Sequence, residues 1–516
     1  MKPLKFRRRN VRRYLERLET NKATGPDGVP SRILKRFAGI FAHILTKIFT
    51  LSYNTGNFPS TWKCANVQPV PKKGDKTDPR NYRPISIISV MSKVFEKYVN
   101  DHIVRYLEDN KIISDTQYGF RQKRSTGDLL NYVSHLWSLA IDNYGETFAI
   151  ALDISKAFDM VWHENLLLKL ETYGFNSDTI RWIRSFLNNR QISVVVDGFS
   201  SAPKLINAGV PQGSVLSPTL FLLYINDLLE QTINKINSYA DDTNLQGSHS
   251  SLKPRSRKDL NSDRSVVIDS INSDLRTIFE WGEKNLVRFN SSKTQLCTIS
   301  LRRLENPHSI NINGNRVKEY EKVRLLGVDV CSNLKWNEHI TQLATNAAKK
   351  LGFLNRCRKF FTSRQILQIY KSFIRPCMEY CSQVWGGAAE TTLKMLDSVQ
   401  KRAIRVIRNP QLTTELDTLK HRRDVADLSV FYKYFHGKCS DEIEGLKPER
   451  YVPPRTSRQV TKSHNKRVNL ITPRTDIHKG DFFIRTAAKW NQLPASVFPD
   501  EFDLQCFKVR VHKHLP

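Results

Sequence analysis

Three aspartates, at two places far apart in the chain, have the residue type and setting for metal-ion chemistry. Asp153 follows a short apolar run, and Asp241 and Asp242 are adjacent at a predicted tight turn. Aspartate is common in turns and at strand ends, so either position alone can be purely structural. Adjacent like charges, however, repel one another unless a cation lies between them. If a folded sheet brings them together, these carboxylates suit Mg²⁺, which prefers carboxylate, water and phosphate oxygens.

The surrounding sequence predicts the strands that would position these acids. The apolar run 147–152 predicts a buried strand that ends at Asp153. Residues 235–240 and 243–245 predict two more strands, joined at the aspartate pair. Such an arrangement would bring both sets of acids to one edge of a sheet.

Helical patterns surround these strands. Ser217 is expected to cap a helix that has Pro218 at its first position. Helical spacing of apolar residues covers 94–110 and dominates from about residue 336 onward, whereas 246–263 is predicted to be a solvated loop. The sequence therefore predicts an α+β domain, then a helical basic domain and a basic tail.

Composition points to a nucleic-acid partner. The 516 residues include 81 Lys+Arg and 50 Asp+Glu, a formal net charge of +31. A surface this basic attracts polyanions, with an affinity that depends on salt. Eight cysteines without a Cys-x2-Cys pair favour reduced thiols over a disulfide or zinc scaffold. No run approaches the ~18 apolar residues of a membrane-spanning helix, and the basic N-terminus lacks a secretory signal. We expect an intracellular protein that does not enter a membrane.

The positive charge is concentrated in three blocks, at 1–24, 341–410 and 450–490. The second block interleaves cations with aromatic residues, which is typical of a track along a nucleic-acid backbone. These aromatic residues are Phe353, Phe360, Phe361, Tyr370 and Phe373. The alternative, a uniformly solvated basic surface, would spread the charge more evenly.

Three segments in register resemble the polymerase motifs of reverse transcriptases. Residues 239–242 (YADD) resemble the paired-aspartate hairpin, and 151–159 (ALDISKAFD) resemble the segment of the first catalytic aspartate. Between them, 208–218 (AGVPQGSVLSP) resembles the loop and helix that contact template and nucleotide. A four-residue motif recurs by chance, but three segments in the family's order and spacing are specific.

Further segments resemble the polymerases of non-LTR retrotransposons, of the LINE type and similar to the jockey group. They are NKATGPDG at 21–28, RNYRPIS at 80–86, QYGFR at 117–121, and FFIRT through WNQLP at 482–494. Such proteins usually carry an endonuclease before the polymerase, and little sequence precedes the first match here. We therefore expect a polymerase-and-tail piece of a longer protein, or a truncated copy.

The resemblance implies a right-hand polymerase of the α+β class, with fingers, a palm built on an antiparallel sheet, and a helical thumb. The expected regions are a basic N-terminal extension with the start of the fingers (1–52), fingers and palm (53–330), thumb (336–420) and a basic C-terminal tail domain (421–516). The basic face of the thumb is expected to bind the template–primer duplex.

By resemblance, Asp153, Asp241 and Asp242 are the catalytic residues. Asp153 and Asp241 would be the principal ligands of two Mg²⁺ ions, for which Mn²⁺ is a chemical substitute. Asp242 would support the site, and the backbone carbonyl of Ile154 would also face a metal. Paired ions ~3.5–4 Å apart activate the attacking hydroxyl and stabilise the leaving pyrophosphate.

Four cations match positions that the family uses around the triphosphate. Lys73 and Arg83 match the fingers cations that hold it, and Lys72 is an equal candidate for the lysine role. A solvated turn is the alternative for the two lysines. Lys293 matches a general acid for pyrophosphate release, or is simply a solvated loop residue.

Other nucleotide-binding candidates shape the pocket rather than carry charge. Phe158 matches the steric gate that excludes a ribose 2′-hydroxyl, or else packs in the core. Gln212 matches a nucleotide or template contact, and Gly213 permits close backbone approach or shapes the turn. Residues 324–327 (RLLG) resemble the primer-grip hairpin, with a buried leucine pair as the alternative.

The resemblance implies an RNA-directed DNA polymerase that adds dNTPs to a DNA 3′-hydroxyl on an RNA template. Its partners would be the RNA template, dNTPs and a DNA primer from the nicked target DNA, and it would act in the nucleus. The sequence does not define the oligomeric state. The alternative is a catalytically inactive nucleic-acid-binding remnant of a truncated element. An intron-encoded or telomerase-like enzyme is disfavoured by the flanking segments.

Overall fold

A computed structural model describes residues 1–72, 74–302, 309–312, 314–452 and 464–515. The nucleotide-binding candidate Lys73 lies outside the described residues. The chain forms two compact units, each assembled from separate segments. The first contains Met1–Phe120, Ile154–Thr232 and Thr277–Asn290, and the second contains Arg121–Asp153, Ile233–Arg276 and Ser291–Pro516. Both units combine helices with sheet, as the α+β class requires. The four regions inferred from the sequence stay a prediction.

The strands fall into two main sheets and two small hairpins. They are β1 (Cys64–Pro71), β2 (Tyr82–Ile87), β3 (Glu146–Asp153), β4 (Arg190–Val196), β5 (Phe199–Ser200), β6 (Lys204–Ile206), β7 (Lys235–Tyr239), β8 (Asp242–His249), β9 (Gln295–Ile299), β10 (Asn311–Ile312), β11 (Asn315–Arg316), β12 (Lys322–Leu325) and β13 (Val328–Cys331).

Helices account for most of the remainder. They are α1 (Arg8–Glu16), α2 (Ser31–Arg36), α3 (Ala38–Thr55), α4 (Val90–Asp109), α5 (Thr126–Asp142), α6 (His163–Thr172), α7 (Ser177–Leu187), α8 (Ser217–Ile225), α9 (Arg257–Lys284), α10 (Asn337–Arg356), α11 (Ser363–Ile369), α12 (Arg375–Glu379), α13 (Ser382–Trp385), α14 (Glu390–Ile407), α15 (Pro410–Thr413), α16 (Leu419–Phe435), α17 (Asp441–Glu444), α18 (Asp476–Lys479), α19 (Phe482–Asn491) and α20 (Leu504–His514). Among the described residues, no helix combines the length and apolar character needed to cross a membrane.

The first unit is built on a sheet of order β2-β1-β4-β5, with β6 also paired to β4. Strands β1 and β4 are parallel, and the other pairings are antiparallel. Helix α4 confirms the helix predicted over 94–110, and the Ser89 side chain caps its first turn. On its buried face, the Phe95 ring stacks on Phe49 with centroids 4.3 Å apart, which anchors α4 in an aromatic core.

The second unit contains an antiparallel sheet of order β7-β8-β3-β9. Strand β3 is the predicted buried strand, and β7 and β8 are the two predicted strands of the aspartate hairpin. Strand β8 runs on to His249 and helix α9 begins at Arg257, so the loop prediction over 246–263 is wrong at both ends. The buried Gln246 side chain accepts a hydrogen bond from Trp137 Nε1 at 2.6 Å, which lets a polar residue occupy a central strand.

The start of helix α8 also differs from the expectation. Ser217 is the first helical residue and not its cap. Ser214 Oγ instead accepts hydrogen bonds from the Leu216 and Ser217 amides at 3.1 and 3.2 Å. Ser214 thus satisfies the Leu216 and Ser217 amides at the start of the helix, which fixes the loop before it.

The C-terminal helices of the second unit have their own aromatic core. Trp490 in α19 is fully buried and packs on Phe431 and Phe498, with ring centroids 5.0 and 4.8 Å away. Phe507 in α20 stacks on Tyr432 of α16 at 4.1 Å. The region predicted as a basic tail domain is therefore folded around buried aromatic rings.

Helix α5 joins this core through buried polar contacts. His135 Nδ1 lies 2.9 Å from Asp481 Oδ1, and Ser138 Oγ lies 2.9 Å from His478 Nδ1. Nearer the start of α5, Tyr434 donates to Asp128 Oδ1 at 2.6 Å. Burial without these partners would cost free energy, so α5 depends on residues more than three hundred positions later.

Candidate active site

The sheet of the second unit brings the predicted catalytic acids to one edge. Asp153 at the end of β3 pairs directly with Asp242 at the start of β8. Tyr239 also pairs with Asp242, so Ala240 and Asp241 are the two residues of the β7–β8 turn. Acids far apart in the sequence therefore meet at adjacent strand ends.

The turn that carries Asp241 is conformationally specific. Ala240 has a φ of 59°, a left-handed conformation that costs a residue with a side chain ~1–2 kcal/mol. Ser238 Oγ donates to the Ala240 carbonyl at 2.7 Å, and the Ala240 side chain is buried. The surrounding strands thus hold the turn in a strained geometry that sets the position of Asp241.

The surroundings of this edge raise the pKa of Asp242. Surrounding protein limits the hydration of the Asp242 carboxyl, although part of the residue reaches solvent, and the charges of Asp241 and Asp153 add repulsion. Together these effects raise the pKa of Asp242 to about 6. A cation placed among the carboxylates would remove the repulsion, so the donor set fits a hard divalent ion.

Two other predicted residues lie beside the acids in space or sequence. Lys293 Nζ donates to Asp153 Oδ2 at 3.3 Å, and both side chains keep solvent exposure. Ile154 follows Asp153 in the chain, is buried, and forms an antiparallel bridge with Phe289. The contact places Lys293 at the predicted acids, and its role as a general acid remains a prediction.

In the first unit, the 208–218 loop packs tightly against strand β2. The Ser86 amide donates to the Gln212 carbonyl at 2.7 Å. Gly213 has a φ of 134°, and a Cβ built there would lie 2.2 Å from the Ser86 carbonyl oxygen. The Gln212 side chain donates to Asp159 Oδ1 at 3.1 Å. Only glycine fits at 213, because any side chain would collide with the strand.

A buried carboxylate that the sequence analysis missed holds the other side of this loop. Glu96 of α4 is fully buried and accepts hydrogen bonds from Ser214 Oγ at 2.5 Å and from the Val215 amide at 2.8 Å. Its second oxygen accepts from Ser92 Oγ at 2.6 Å. A signal existed in the i, i+4 pairing of Ser92 and Glu96 on a face that is otherwise apolar.

The Phe158 ring packs against other aromatic rings on one side and remains partly exposed to solvent. Its ring stacks on the buried Phe221 with centroids 4.9 Å apart, and Phe120 meets it edge-on at 6.3 Å. The Phe158 carbonyl accepts from the Val210 amide at 2.8 Å, which ties it to the 208–218 loop. The ring is half-buried, so it is a firmly positioned surface that a ligand could contact.

The cations Lys72 and Arg83 belong to the β1–β2 hairpin. Arg83 pairs with Val70 in the ladder, and the Lys72 amide donates to the Asn81 carbonyl at 2.6 Å. Both residues are exposed. The hairpin thus presents both cations to solvent. Among the described residues, no acidic side chain forms an ion pair with Arg83.

The hairpin predicted at 324–327 is present as β12 and β13. Leu326 and Gly327 form its two-residue turn, with φ values of 47° and 86°, as type I′ turns require. Leu325 is buried, whereas Leu326 lies at the turn. Tyr380 donates from its hydroxyl to the Leu326 carbonyl at 2.9 Å, which fixes the tip against the helices that follow.

Most of the predicted aromatic track is exposed on helices α10 to α12. Phe353, Phe360, Phe361 and Phe373 all reach solvent. Lys350 Nζ lies 4.3 Å from the centre of the Phe373 ring, and Lys359 Nζ lies 5.1 Å from that of Phe360. Tyr370 is the exception, because it is fully buried and donates to Gln400 Oε1 at 2.6 Å.

Comparison with known proteins identifies the class of protein to which this fold, with its aspartates at the edge of the sheet, belongs. Residues 70–330 match the reverse transcriptase (RNA-dependent DNA polymerase) family, and the chain belongs to it. This membership confirms the predicted right-hand polymerase fold of the α+β class. Enzymes of this family act on nucleic acids and use divalent metal ions.

Individual relatives are polymerases of mobile elements. The RNA-directed DNA polymerase from mobile element jockey of Drosophila melanogaster is 29% identical over 409 residues, which cover 77% of this chain and 43% of the relative. A probable RNA-directed DNA polymerase from transposon X-element of the same species is 28% identical over 430 residues, covering 82% and 46%. The chain thus spans less than half the length of these relatives. The predicted resemblance to non-LTR retrotransposon polymerases is confirmed.

Among solved structures, telomerase from Candida albicans in complex with a fragment of telomeric RNA is similar over 78% of this chain and 64% of its own. The identity is 14% and the TM-score is 0.38.

Proposed function

We propose that this chain is an RNA-directed DNA polymerase that adds dNTPs to a DNA 3′-hydroxyl on an RNA template. The observation that carries the proposal is the pairing of Asp153 with Asp242 beside the Asp241 turn. Family membership and the similarity to mobile-element polymerases support it.

In this mechanism, Asp153, Asp241 and Asp242 would hold two Mg²⁺ ions, with the Ile154 carbonyl as a further ligand. When bound, such ions would supply activation of the attacking hydroxyl and charge stabilisation of the leaving pyrophosphate. The strand pairing keeps the carboxylates in place before the ions arrive, so little reorganisation is needed. In this proposal Lys293, whose Nζ lies 3.3 Å from Asp153 Oδ2, donates a proton to the departing pyrophosphate.

Residues of the first unit bind the incoming dNTP in this proposal. Lys72 and Arg83 contact the triphosphate, for which the planar guanidinium of arginine offers two parallel hydrogen bonds. Phe158 lies beneath the sugar and rejects a 2′-hydroxyl. Gln212 and Gly213 bring the backbone of their loop close to the nucleotide or template. The close packing of Gly213 against Ser86 fixes the position of this loop.

The exposed aromatic and basic surface of α10 to α14 binds template and primer in this proposal. Rings such as Phe353 and Phe360 supply stacking faces, and the nearby cations neutralise phosphates. Arg402, Arg405 and Arg408 line a depression of about 280 Å³ on the same helices, where a phosphate group would be favoured. With nicked chromosomal DNA as the primer, the place of action would be the nucleus.

Primer extension tests the proposal directly. The full chain is given an annealed RNA template and DNA primer, dNTPs and Mg²⁺, so that no upstream nicking activity is needed. We expect template-directed extension that is abolished in Asp241→Asn, while that variant still binds the duplex. Binding without any extension by the unsubstituted chain would refute the proposal and favour a nucleic-acid-binding remnant.

A further inference from the structure

Three metal-ligating side chains meet in the C-terminal part of the second unit, away from the catalytic acids in the sequence. Asp417, His421 and His512 each offer a ligand atom, and these atoms lie within 4.8 Å of one another. His421 Nε2 is 2.5 Å from His512 Nδ1, and His512 Nε2 is 3.6 Å from Asp417 Oδ1. The polymerase mechanism uses none of them.

Packing holds the backbones of these residues in place. His421 lies in the first turn of α16, where Thr418 Oγ accepts from its amide at 3.1 Å, and the neighbouring Leu419 is buried. His512 lies in the last turn of α20, next to the fully buried Val511. Because buried residues of both helices fix these positions, the two imidazoles are carried on firmly packed backbone.

The charges around the cluster tolerate a cation. Arg422 lies 3.6 Å from Asp417, but its guanidinium is already paired in two places with Glu379. The Asp417 and His512 side chains both reach solvent, so an ion can enter and keep a water ligand. The alternative is a chain of contacts without an ion, in which His421 bonds to His512 and His512 pairs with Asp417.

We propose that Asp417, His421 and His512 bind one Zn²⁺ ion that links the start of α16 to the end of α20. Two imidazole nitrogens and one carboxylate oxygen are a typical zinc donor set, with a solvent molecule in the fourth position. In a tetrahedral site with Zn–N bonds of about 2.0–2.1 Å, the two nitrogens move apart by rotation of the side chains. Mg²⁺ avoids imidazole, so this site is chemically distinct from the catalytic carboxylates.

Calorimetry on the full chain tests this site. The protein is stripped of metal with a chelator, dialysed, and titrated with Zn²⁺ in excess Mg²⁺, which occupies sites made of carboxylates alone. We expect one tight Zn²⁺ per chain, with affinity reduced by at least about 10–100-fold in Asp417→Asn and His512→Gln. His514→Gln, at an exposed position in the same turn of α20, is the matched control and should bind normally.

Two further measurements make the result decisive. Co²⁺ in place of Zn²⁺ should give visible absorption bands of a nitrogen-ligated site, and these should be lost in His512→Gln. Circular dichroism and metal-free thermal unfolding establish that the variants are folded, and Zn²⁺ should raise the melting temperature only where the site is intact. Zn²⁺ binding that is unchanged in both Asp417→Asn and His512→Gln, or absent in the unsubstituted chain, would overturn the proposal.

Discussion

Asp153 and Asp242 occupy directly opposed positions in the β3–β8 ladder. Opposed residues of antiparallel strands have Cα atoms about 4.5–5.5 Å apart, so the sheet, and not a loop, sets the spacing of these carboxylates. Burial of the Asp242 carboxyl, with added repulsion from Asp241 and Asp153, raises its pKa, so the folding of the sheet holds these like charges together at a cost.

Replacing Asp242 by asparagine should lower the activity but raise the stability of the metal-free protein. Primer extension should fall by about 10³-fold, since the metal ions supply several kcal/mol of transition-state stabilisation. The pKa of Asp242 is raised to about 6 in the folded chain, so ionisation at neutral pH opposes folding. The melting temperature measured in EDTA at pH 7 should therefore rise. Asp109→Asn, on the exposed end of α4, is the control, and an unchanged or lower value for Asp242→Asn would contradict this account.

When Mg²⁺ is scarce, the activity should fall on the acid side with a midpoint near pH 6. Below the pKa of about 6, Asp242 is protonated and is a poor metal ligand. Protons and Mg²⁺ compete for the same oxygens, so a higher Mg²⁺ concentration should move the midpoint to lower pH. Initial extension rates measured across pH at several Mg²⁺ concentrations check this, and a midpoint that ignores Mg²⁺ would show that another group controls the limb.

Phe158→Ala should weaken discrimination against ribonucleotides. Removing the ring opens space for a 2′-hydroxyl, and we expect the dNTP/rNTP ratio of kcat/KM to fall by about tenfold to a hundredfold, as for comparable steric contacts. Phe120→Ala removes the edge-on neighbour and is the matched control. If selectivity stays constant while the melting temperature drops, Phe158 has only the packing role of its contact with Phe221.

Glu96→Ala should impair nucleotide binding through the loop that Glu96 supports. The substitution leaves Ser214 Oγ and the Val215 amide without their acceptor, so the position of Gln212 and Gly213 is no longer fixed. We expect KM for dNTP to rise more than kcat falls, and stability to drop by about 1.5–3 kcal/mol, as for hydrogen bonds to charged groups. Steady-state kinetics and urea unfolding measure the two effects.

The control for Glu96 is Asp109→Ala, at the exposed end of the same helix. Loss of stability without any change in KM would reduce Glu96 to a purely structural residue. Glu96→Gln should recover part of the nucleotide affinity, because its amide oxygen still accepts one of the hydrogen bonds.

Exposed and buried aromatic residues of the α10–α14 region should respond differently to substitution. Phe353→Ala and Phe360→Ala should each weaken single-strand binding by about 1–3 kcal/mol, the usual value of a stacked base. Tyr370→Phe should leave binding intact and lower stability by about 1 kcal/mol through the lost bond to Gln400. Fluorescence anisotropy at several salt concentrations measures affinity, which should fall steeply with salt; a flat response would refute the electrostatic contribution.

Local patterns were sufficient for the elements that carry the acids. An apolar run ending at Asp153 and a hairpin at Asp241 and Asp242 each depend on a few adjacent residues, so their strands were predictable. Their convergence followed only from the resemblance to a family, because strand pairing between β3 and β8 joins distant segments.

Features that depend on distant partners escaped sequence reasoning. Gln246 is a strand residue whose buried amide oxygen accepts a hydrogen bond from the distant Trp137. Tyr370 was grouped with the other rings of the track, but it lies four residues after Ile366 and three after Leu367, on the buried face of this helix. The sequence analysis missed Glu96, because its partners at 214 and 215 are remote in sequence.

The buried contacts of helix α5 set a limit on how this chain can be truncated for expression. The family match ends at residue 330, yet His135 and Ser138 find their partners at Asp481 and His478. A recombinant fragment that stops at the family boundary would leave these groups without their partners and expose the buried face of α5 to solvent. Soluble material should therefore require a C-terminal boundary beyond α20.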